Sequence, residues 1–325
     1  MGALVQRPAQ PDHLMTGALL KPRHLGRGDV VGVAALSGPV DAEALERGCH
    51  ALEEMGYGVK RASNLLLKSG PLGLAGSDAA RLAGYRDLLL DPDVAAILFA
   101  RGGYGVARIL PGLSAAELAA NAKIHCGFSD VTALSAFLLS RCGLPSFHGP
   151  MVAADLARDL DPLSASFFPY MLEGTGPAEL PLPEAEILVP GAAEGRLVGG
   201  CLSLLAAAVG TPDEFDYEGA LLFFEEVNEE AYRVDRMLAH LARARRFDRL
   251  GGILIGSMAS ITFGGAEDEG RLREMLAERL APLRVPVVLG LPCGHRGPNV
   301  TLPVGARASW NPRTRILRFE EEIVS

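Results

Sequence analysis

The sequence predicts an α/β protein of two domains, the first of them doubly wound around a largely parallel sheet. The chain has 325 residues, which is more than a domain with a single hydrophobic core usually contains. From Asp29 to about Glu173, short apolar runs alternate with segments of helical spacing, which is the pattern of a parallel sheet covered by helices. A stretch rich in Pro, Gly and acidic residues, 173–195, then separates this half from a more mixed one.

The first half reads as a regular alternation of strands and helices. The predicted strands are "DVVGVAAL", "YGVKRAS", "VAAILFA", "KIHCGFS" and "LPSFHGP". The predicted helices are "DAEALERGCHALEEMG", which stops at Gly56, "SDAARLAGYRDLLLD", which Ser77 caps, the short pieces "VARIL" and "SAAELAANA", and "DVTALSAFLLSR".

The second half mixes buried strands with amphipathic helices. "GCLSLLAAAVG", "AYRVDRMLAHLARARRF" and "EDEGRLREMLAERLAPL" are predicted helices, and "ALLFFE", "GGILIGSM", "VPVVLGLP", "VTLPVGARASWNP" and "RILRFEE" are predicted strands. The expected organisation is a loosely held leader (1–25), a first domain (26–172), a linker (173–195) and a second domain (196–325).

Composition excludes several classes of function. The net charge is −8 without a basic block, so we expect neither nucleic acid nor an anionic membrane as a partner. No segment reaches about 18 uninterrupted apolar residues, the length needed to span a bilayer. The five cysteines are scattered without a Cys-x-x-Cys pair, which is typical of reduced thiols in a cytosolic protein and does not favour a zinc site.

The segment "ARGGYG" follows the strand "VAAILFA", at the sheet edge where open α/β sheets bind ligands. Gly102 and Gly103 allow close backbone approaches, so their N–H groups are able to face an anion or a developing oxyanion. Arg108 stands where a dinucleotide fingerprint requires its third glycine, and no P-loop Gly-Lys-Ser/Thr follows. An ordinary structural turn explains the glycines equally well.

Ser129 lies at a strand-to-helix junction in "CGFSDVTALSAFLL". Such a junction is typical of a nucleophile elbow, in which the next N–H forms half of an oxyanion hole. The motif Gly-x-Ser-x-Gly is not matched, however, because Asp130 and Thr132 stand where small residues are usual. The local sequence therefore leaves a second interpretation open, in which Ser129 or Asp130 caps the following helix.

A nucleophilic serine needs a histidine and a carboxylate from elsewhere in the chain. His295, in the loop "PCGHRGPNV" after a predicted strand, is the best candidate base, and His148 in "SFHGPM" is the alternative. Glu225 and Glu226 end the apolar strand "ALLFFEE", where a buried charge requires a partner. Local sequence does not separate these two glutamates.

Several segments, in order, resemble one family. They are "GDVVGVAALSGPVD", "DPDVAAILFARGGYG", "GFSDVTAL", "FHGPM", "GRLVGGCLSLLAAAVGTP", "LLFFEEVNEEAYRVDRMLAHL", "GGILIGSM" and "PCGHRGPNVTLPVG". Together they resemble the LD-carboxypeptidases, a serine peptidase family that also contains the microcin C immunity peptidase. The resemblance runs from about Gly28 to Glu321.

The resemblance implies a flavodoxin-like N-terminal domain with a parallel sheet and a smaller, mixed, β-rich C-terminal domain. It implies Ser129 as nucleophile, in the family's Gly-aromatic-Ser-Asp motif, with Glu225 and His295 completing a triad across the cleft between the domains. It further implies a cytoplasmic homodimer that needs no metal or organic cofactor.

The implied reaction is hydrolysis of the bond between an L-centre and a C-terminal D-amino acid, releasing D-Ala from murein tetrapeptide in cell-wall recycling. The N–H of Asp130 and that of Gly102 or Gly103 are the expected oxyanion donors. Arg101 is a candidate to bind the substrate's terminal carboxylate, and an ordinary surface ion pair would explain this arginine equally well. Tyr104, in the same segment, is a further candidate for substrate binding. Cys201 replaces an asparagine that is common in the family, so a different substrate preference is expected if that amide helps to shape the site.

Three other functions compete with this interpretation. A microcin-immunity-type peptidase that cleaves an aminoacyl or peptidyl nucleotide conjugate needs an aromatic surface for the nucleobase, and the only tryptophan, Trp310, lies in a strand-like segment. An α/β-hydrolase esterase is disfavoured by the missing Gly-x-Ser-x-Gly and by the linker. A two-domain binding protein without catalysis is the third.

Overall fold

Two β-sheets organise the protein, which a computed structural model describes over residues 18–325. The strands are β1 (Val30–Ala34), β2 (Gly58–Arg61), β3 (Val94–Phe99), β4 (Ile124–Cys126), β5 (Ser146–His148), β6 (Glu179–Pro181), β7 (Glu186–Val189), β8 (Ala193–Cys201), β9 (Leu221–Val227), β10 (Gly252–Ala259), β11 (Val287–Leu289), β12 (Leu302–Val304), β13 (Arg307–Asn311) and β14 (Ile316–Phe319). The α-helices are α1 (Ala42–Glu54), α2 (Asp78–Leu90), α3 (Val106–Ile109), α4 (Ala115–Ala120), α5 (Thr132–Cys142), α6 (Pro162–Phe167), α7 (Leu202–Ala208), α8 (Ala231–Arg243) and α9 (Glu269–Leu280).

The first sheet has the strand order β2-β1-β3-β4-β5, with all neighbouring pairs parallel. This is the flavodoxin-like order, in which ligands bind beyond the carboxyl ends of the strands. The expected doubly wound, flavodoxin-like first half is therefore confirmed. A sixth strand, β12, pairs antiparallel with β5.

Local sequence explains where the first helices begin and end. The side chain of Asp41 accepts a hydrogen bond from the N–H of Ala44 and starts α1, which ends just before Gly56 at a positive φ of 96°. The predicted cap at Ser77 is confirmed, because its hydroxyl accepts the N–H of Ala80 at the start of α2.

The second sheet has eight strands in the order β6-β14-β13-β8-β9-β10-β11-β7. Strands β8 to β11 are mutually parallel, and antiparallel strands flank them on both sides. Residues 173–195, expected to form a linker, contribute β6 and β7 to its two edges. The segment predicted as one helix from Gly200 divides differently, since β8 continues to Cys201 and α7 begins at Leu202.

The chain returns to the first sheet after it has built most of the second. In β12, Leu302 pairs with His148 and Val304 with Ser146. Near the C-terminus, Ile323 and Val324 pack into the hydrophobic core of the first sheet. The two sheets are thus joined by the returning strand β12 and the C-terminal segment, as well as by the connection through 173–195.

Part of the expected leader is packed against the first domain. The N–H of Leu25 donates to the carbonyl of Leu172 at 2.8 Å, the N–H of His24 donates to that of Ser325, and the Leu25 side chain is buried. Residues 18–25 are therefore held in place, contrary to the expectation of a loose segment, and residues 1–17 lie outside the described part. Of the helices in the described range, none is both long and apolar enough to cross a membrane.

A glycine in α1 allows this helix to approach the segment that follows β5. A Cβ atom on Gly48 would lie 1.9 Å from the carbonyl oxygen of Val152. We predict that Gly48→Ala lowers the free energy of unfolding by about 1–3 kcal/mol because the contact becomes overpacked. Urea unfolding followed by circular dichroism measures the change.

The matched control is Gly270→Ala in α9, where the added methyl group meets only the side chain of Asp268 at 3.4 Å. This change should stabilise the protein by up to about 1 kcal/mol, as alanine favours helices over glycine. Equal stability of Gly48→Ala and the unmodified protein would contradict the close packing.

Candidate active site

A cavity of about 410 Å³ lies at the carboxyl ends of the first sheet, where the loops of both halves meet. Among its lining residues are the predicted Ser129, His295, Arg101, Gly102 and Gly103. Within residues 18–325, no three or more His, Cys, Asp or Glu side chains are grouped as a metal site. The cavity therefore gathers candidate residues that are up to 194 positions apart, from Arg101 to His295.

Ser129 has the strained backbone of a nucleophile elbow. Its φ is 61°, in the left-handed region that residues other than glycine rarely adopt, and it begins a short 3₁₀ helix, Ser129–Val131. Gly102 packs so closely that a Cβ atom there would lie 2.7 Å from Ser129 Oγ. The turn thus places the hydroxyl against the glycine-rich segment at the cavity wall.

Neither Ser129 nor Asp130 caps the helix that follows them. The 3₁₀ helix and α5 both begin without a side-chain cap. Asp130 Oδ2 instead accepts the Ser37 hydroxyl at 2.6 Å and the N–H of Val106, at the start of α3, at 2.9 Å. The capping expectation is wrong because the partner of Asp130 lies 24 residues earlier, out of reach of local sequence patterns.

Burial raises the pKa of Asp130, although its hydrogen bonds with Ser37 and Val106 act in the opposite direction. This carboxylate joins the loops after β1, β3 and β4. Arg81 of α2 adds a second tie, since its fully buried guanidinium donates to the carbonyl oxygens of Leu36 and Gly105. The backbone around Ser129 is consequently held by two buried charged groups.

The candidate oxyanion donors lie beside Ser129. In the described residues, the N–H groups of Gly102 and Gly103 have no hydrogen-bond acceptor. The Cβ position of Gly102 is 3.6 Å from the backbone nitrogen of Asp130, which stands in the first turn of the 3₁₀ helix, where N–H groups lack intrahelical partners. These backbone donors are therefore available to a ligand atom in the cavity.

Glu225 and His295 form a close pair. His295 Nδ1 lies 2.6 Å from Glu225 Oε2, and the Glu225 side chain is completely buried at the end of β9. When Nδ1 donates to this carboxylate, Nε2 becomes the basic nitrogen of the neutral ring. Within residues 18–325 His295 makes no hydrogen bond to Ser129, although both line the cavity, and such contacts often close only when substrate binds.

Carboxylates keep His295 easier to protonate than an ordinary histidine. Burial by itself lowers the pKa of His295, but the hydrogen bond and charge of Glu225, with the charges of Glu226 and Asp155, outweigh it and leave the pKa raised. Burial also raises the pKa of Glu225, against the effect of His295. The ring of Phe128 packs against the imidazole, with centroids 4.8 Å apart, and limits its rotation.

The two glutamates that end the apolar strand have different partners. Glu226 Oε2 accepts the N–H of Ser203 at 2.7 Å, at the start of α7, and Glu226 Oε1 lies 3.5 Å from Cys201 Sγ. Cys201 is buried beside Glu226 and does not line the cavity. Strand alternation thus aims Glu225 at the histidine and Glu226 at the opposite side.

The other predicted residues occupy less central positions. His148 is buried between Phe128 and Phe223, and burial lowers its pKa to about 3, so the ring is neutral. Its Nε2 has no hydrogen-bond partner among the described residues, Ser129 included. Tyr104 is 53% exposed and does not line the cavity. Arg101 lines the cavity and donates to the carbonyl of Pro39 at 3.1 Å, without an ion pair among the described residues.

Three charged residues that line the cavity, Asp41, Asp155 and Arg158, were not predicted from the sequence as site residues. Asp41 is the N-cap of α1. Asp155 lies after β5 in a π-helical turn, Val152–Leu156, which has neither the alternation of a strand nor the 3.6-residue period of an α-helix, and Arg158 follows two residues after that turn. One indication of Asp155 and Arg158 as site residues is present in the sequence. They lie in the loop at the carboxyl end of β5, where an acidic and a basic residue stand three positions apart.

Family models match both halves of the chain. Residues 31–149 match the LD-carboxypeptidase N-terminal domain, and residues 194–310 match the LD-carboxypeptidase C-terminal domain. These two matches cover most of the chain and contain Ser129, Glu225 and His295.

Individual relatives and solved structures agree with these matches. The chain is 38% identical over 296 residues to a probable murein peptide carboxypeptidase of Bacillus subtilis, covering 90% of this chain and 91% of that protein. A crystal structure of muramoyltetrapeptide carboxypeptidase from Oxalobacter formigenes is 30% identical, with a TM-score of 0.75 and coverage of 89% and 97%. MccF in complex with glutamyl sulfamoyl guanosine shares the fold, with a TM-score of 0.86 at 24% identity and coverage of 94% and 100%.

The Glu225–His295 pair generates a prediction for the pH dependence of hydrolysis. His295, as the candidate general base, has to be neutral to accept a proton, so its raised pKa is expected to place the acid limb of kcat/KM above the ordinary histidine value of about 6.5. Glu225→Gln removes the main charge that raises this pKa, so the acid limb should move to lower pH. The rate at the plateau should fall by about 10²–10⁴ because proton transfer is impaired. A pH–rate profile measures both.

Glu226→Gln is the matched comparison, since glutamine retains an oxygen to accept the N–H of Ser203. It should give a smaller displacement of the acid limb and keep most of the rate. A larger loss in Glu226→Gln than in Glu225→Gln would contradict the assignment of the orienting carboxylate.

Proposed function

This chain belongs to the LD-carboxypeptidase family of hydrolases, and we propose that it is a serine carboxypeptidase that releases the C-terminal D-Ala of murein tetrapeptide. The observation that carries the proposal is the cavity lined by both Ser129 and His295, whose Nδ1 lies 2.6 Å from Glu225 Oε2. The names of the Bacillus subtilis and Oxalobacter formigenes relatives, both murein peptide carboxypeptidases, support this substrate class.

In the proposed mechanism, His295 Nε2 takes the proton of Ser129 as the serine oxygen attacks the carbonyl carbon before the terminal D-residue. The tetrahedral intermediate collapses when the imidazolium returns the proton to the leaving amine, which departs as free D-Ala. A water molecule, deprotonated by His295, then hydrolyses the acyl-enzyme. Glu225 holds the ring in the required tautomer and stabilises its charged form.

Backbone N–H groups stabilise the oxyanion in this mechanism. The donors are Asp130 together with Gly102 or Gly103, whose N–H groups face no acceptor in the described residues. Loss of one such donor typically lowers kcat by about 10²–10³. Arg101, which lines the cavity and has no ion-pair partner within residues 18–325, is placed to attract the terminal carboxylate of the substrate.

The proposal extends to the setting in which the enzyme works. Release of D-Ala from a tetrapeptide belongs to the recycling of wall fragments, and the resemblance implies that it takes place in the cytoplasm, in a homodimer. The charge of −8 agrees with a small peptide substrate better than with a nucleic acid.

The alternative is cleavage of an aminoacyl or peptidyl nucleotide conjugate, as in a microcin-immunity-type peptidase. This substrate needs an exposed aromatic face for its nucleobase. Trp310 in β13 is 1% exposed and lies in the core of the second sheet. Tyr104 is exposed but does not line the cavity, and Phe128, the aromatic residue among those that line it, packs against His295. The geometry therefore favours the murein peptide.

A direct test assays purified Ser129→Ala and His295→Ala proteins on murein tetrapeptide, with D-Ala release measured by mass spectrometry. Both variants should lose at least about 10³-fold in kcat, because covalent catalysis requires the nucleophile and its base together. Ser69→Ala and His240→Ala, at exposed positions away from the cavity, serve as controls and should retain full activity.

Rapid D-Ala release by either folded cavity variant would refute the assigned roles. If the unmodified protein leaves the tetrapeptide intact but cleaves a glutamyl nucleotide conjugate, the alternative function replaces the proposed one.

A further inference from the structure

The segment after β5 brings two opposite charges to the wall of the cavity. Asp155 and Arg158 both line the cavity that contains Ser129 and His295. The segment is tied to the glycine-rich loop, since the N–H of Ala153 donates to the carbonyl of Ala100 at 2.8 Å. The segment that carries the two charges is therefore held beside the reacting groups, and the mechanism described above gives neither charge a contact with the substrate.

Asp155 has one engaged and one free oxygen. Its Oδ2 accepts the N–H of Met151 at 2.8 Å, whereas Oδ1 has no hydrogen-bond donor among the described residues. The carboxylate is largely withdrawn from solvent, which raises its pKa, and the charges of His295 and Arg158 act against this rise. A partly dehydrated carboxylate gains strongly from a cationic partner, because it has already lost most of its water.

Arg158 is exposed at the rim of the cavity and has no carboxylate within 4 Å in residues 18–325. It lies close enough to Asp155 to affect the pKa of that carboxylate, but the two side chains do not form an ion pair. Asp155 and Arg158 have opposite charges and do not pair with each other. Both charges are therefore available to a third group that lies between them.

We propose that Asp155 and Arg158 together bind an amino-acid head group, an ammonium and a carboxylate on one carbon, at the end of the side chain that precedes the scissile bond. This inference rests on the proposed function, because murein peptides carry a diamino acid at that position. In some murein the side chain ends in such a head group, as in meso-diaminopimelate, and in other murein it ends in an ammonium alone, as in lysine. The pair then selects the first kind.

The test compares three tetrapeptides that differ only in the third residue, which is meso-diaminopimelate, lysine or norleucine. The unmodified enzyme should rank them in that order by kcat/KM, with steps of about 10- to 100-fold, the value of a charge-assisted hydrogen bond. Arg158→Gln should abolish the preference for diaminopimelate over lysine. Asp155→Asn should abolish the preference for lysine over norleucine, mainly through KM, while its amide oxygen still accepts the N–H of Met151.

Asp159→Asn is the matched control, because it removes a charge from the same segment at an exposed position that does not line the cavity. It should preserve the ranking of all three peptides. The inference would be overturned if the unmodified enzyme had equal kcat/KM on the three peptides. It would also be overturned if each cavity variant lowered kcat/KM by the same factor for all three.

Calorimetric binding of the matching tripeptide products separates the two claims. If no tetrapeptide is cleaved but the diaminopimelate tripeptide binds more tightly than the lysine tripeptide, and Arg158→Gln removes the difference, the proposed function fails and the head-group site stands. Cleavage without any such difference in binding or rate refutes the site and leaves the proposed function intact.

Discussion

The hydrogen bond between Glu225 and His295 is the interaction on which the rest of the candidate site depends. A completely buried carboxylate is costly without a partner, and within the described residues Glu225 Oε1 has none. His295 therefore has to occupy one place, with Nδ1 on Glu225 and the ring against Phe128. This constraint leaves Nε2 as the free nitrogen of the ring, and Ser129, at its strained turn, lines the same cavity as His295.

The path of the chain explains how the Glu225–His295 pair reaches the cavity that Ser129 lines, although Ser129 follows a strand of the other sheet. The loop that carries His295 begins after β11, in the second sheet, and ends at β12, which pairs with β5 in the first sheet. Glu225 is held by β9, next to β8, and Gly200 of β8 approaches α5 so closely that a Cβ atom would lie 2.3 Å from Thr132 Oγ1. The strand that carries Glu225 is thus anchored near the helix that follows Ser129, and the loop that carries His295 is anchored to the first sheet through β12.

The sequence predicted well those features that depend on neighbouring residues. The alternation of apolar runs and helices anticipated the parallel first sheet. Strand ends and loops made Ser129 and His295 candidates without separating Glu225 from Glu226, and the family resemblance selected these three residues. Features set by distant contacts were missed or misread. The Pro- and Gly-rich stretch 173–195 resembles a linker because edge strands are short and polar, and the cap formed by Asp130 serves a helix earlier in the chain. The π-helical turn with Asp155 has no period that a pattern can detect.

The central claim is that Ser129 is the nucleophile activated by His295. Labelling with a serine-directed phosphonate, followed by mass spectrometry of the digested protein, tests it most directly. The account predicts one adduct, on Ser129, which forms faster as His295 loses its proton and hardly forms in His295→Ala. An adduct on another residue, or undiminished labelling of Ser129 in His295→Ala, would contradict it.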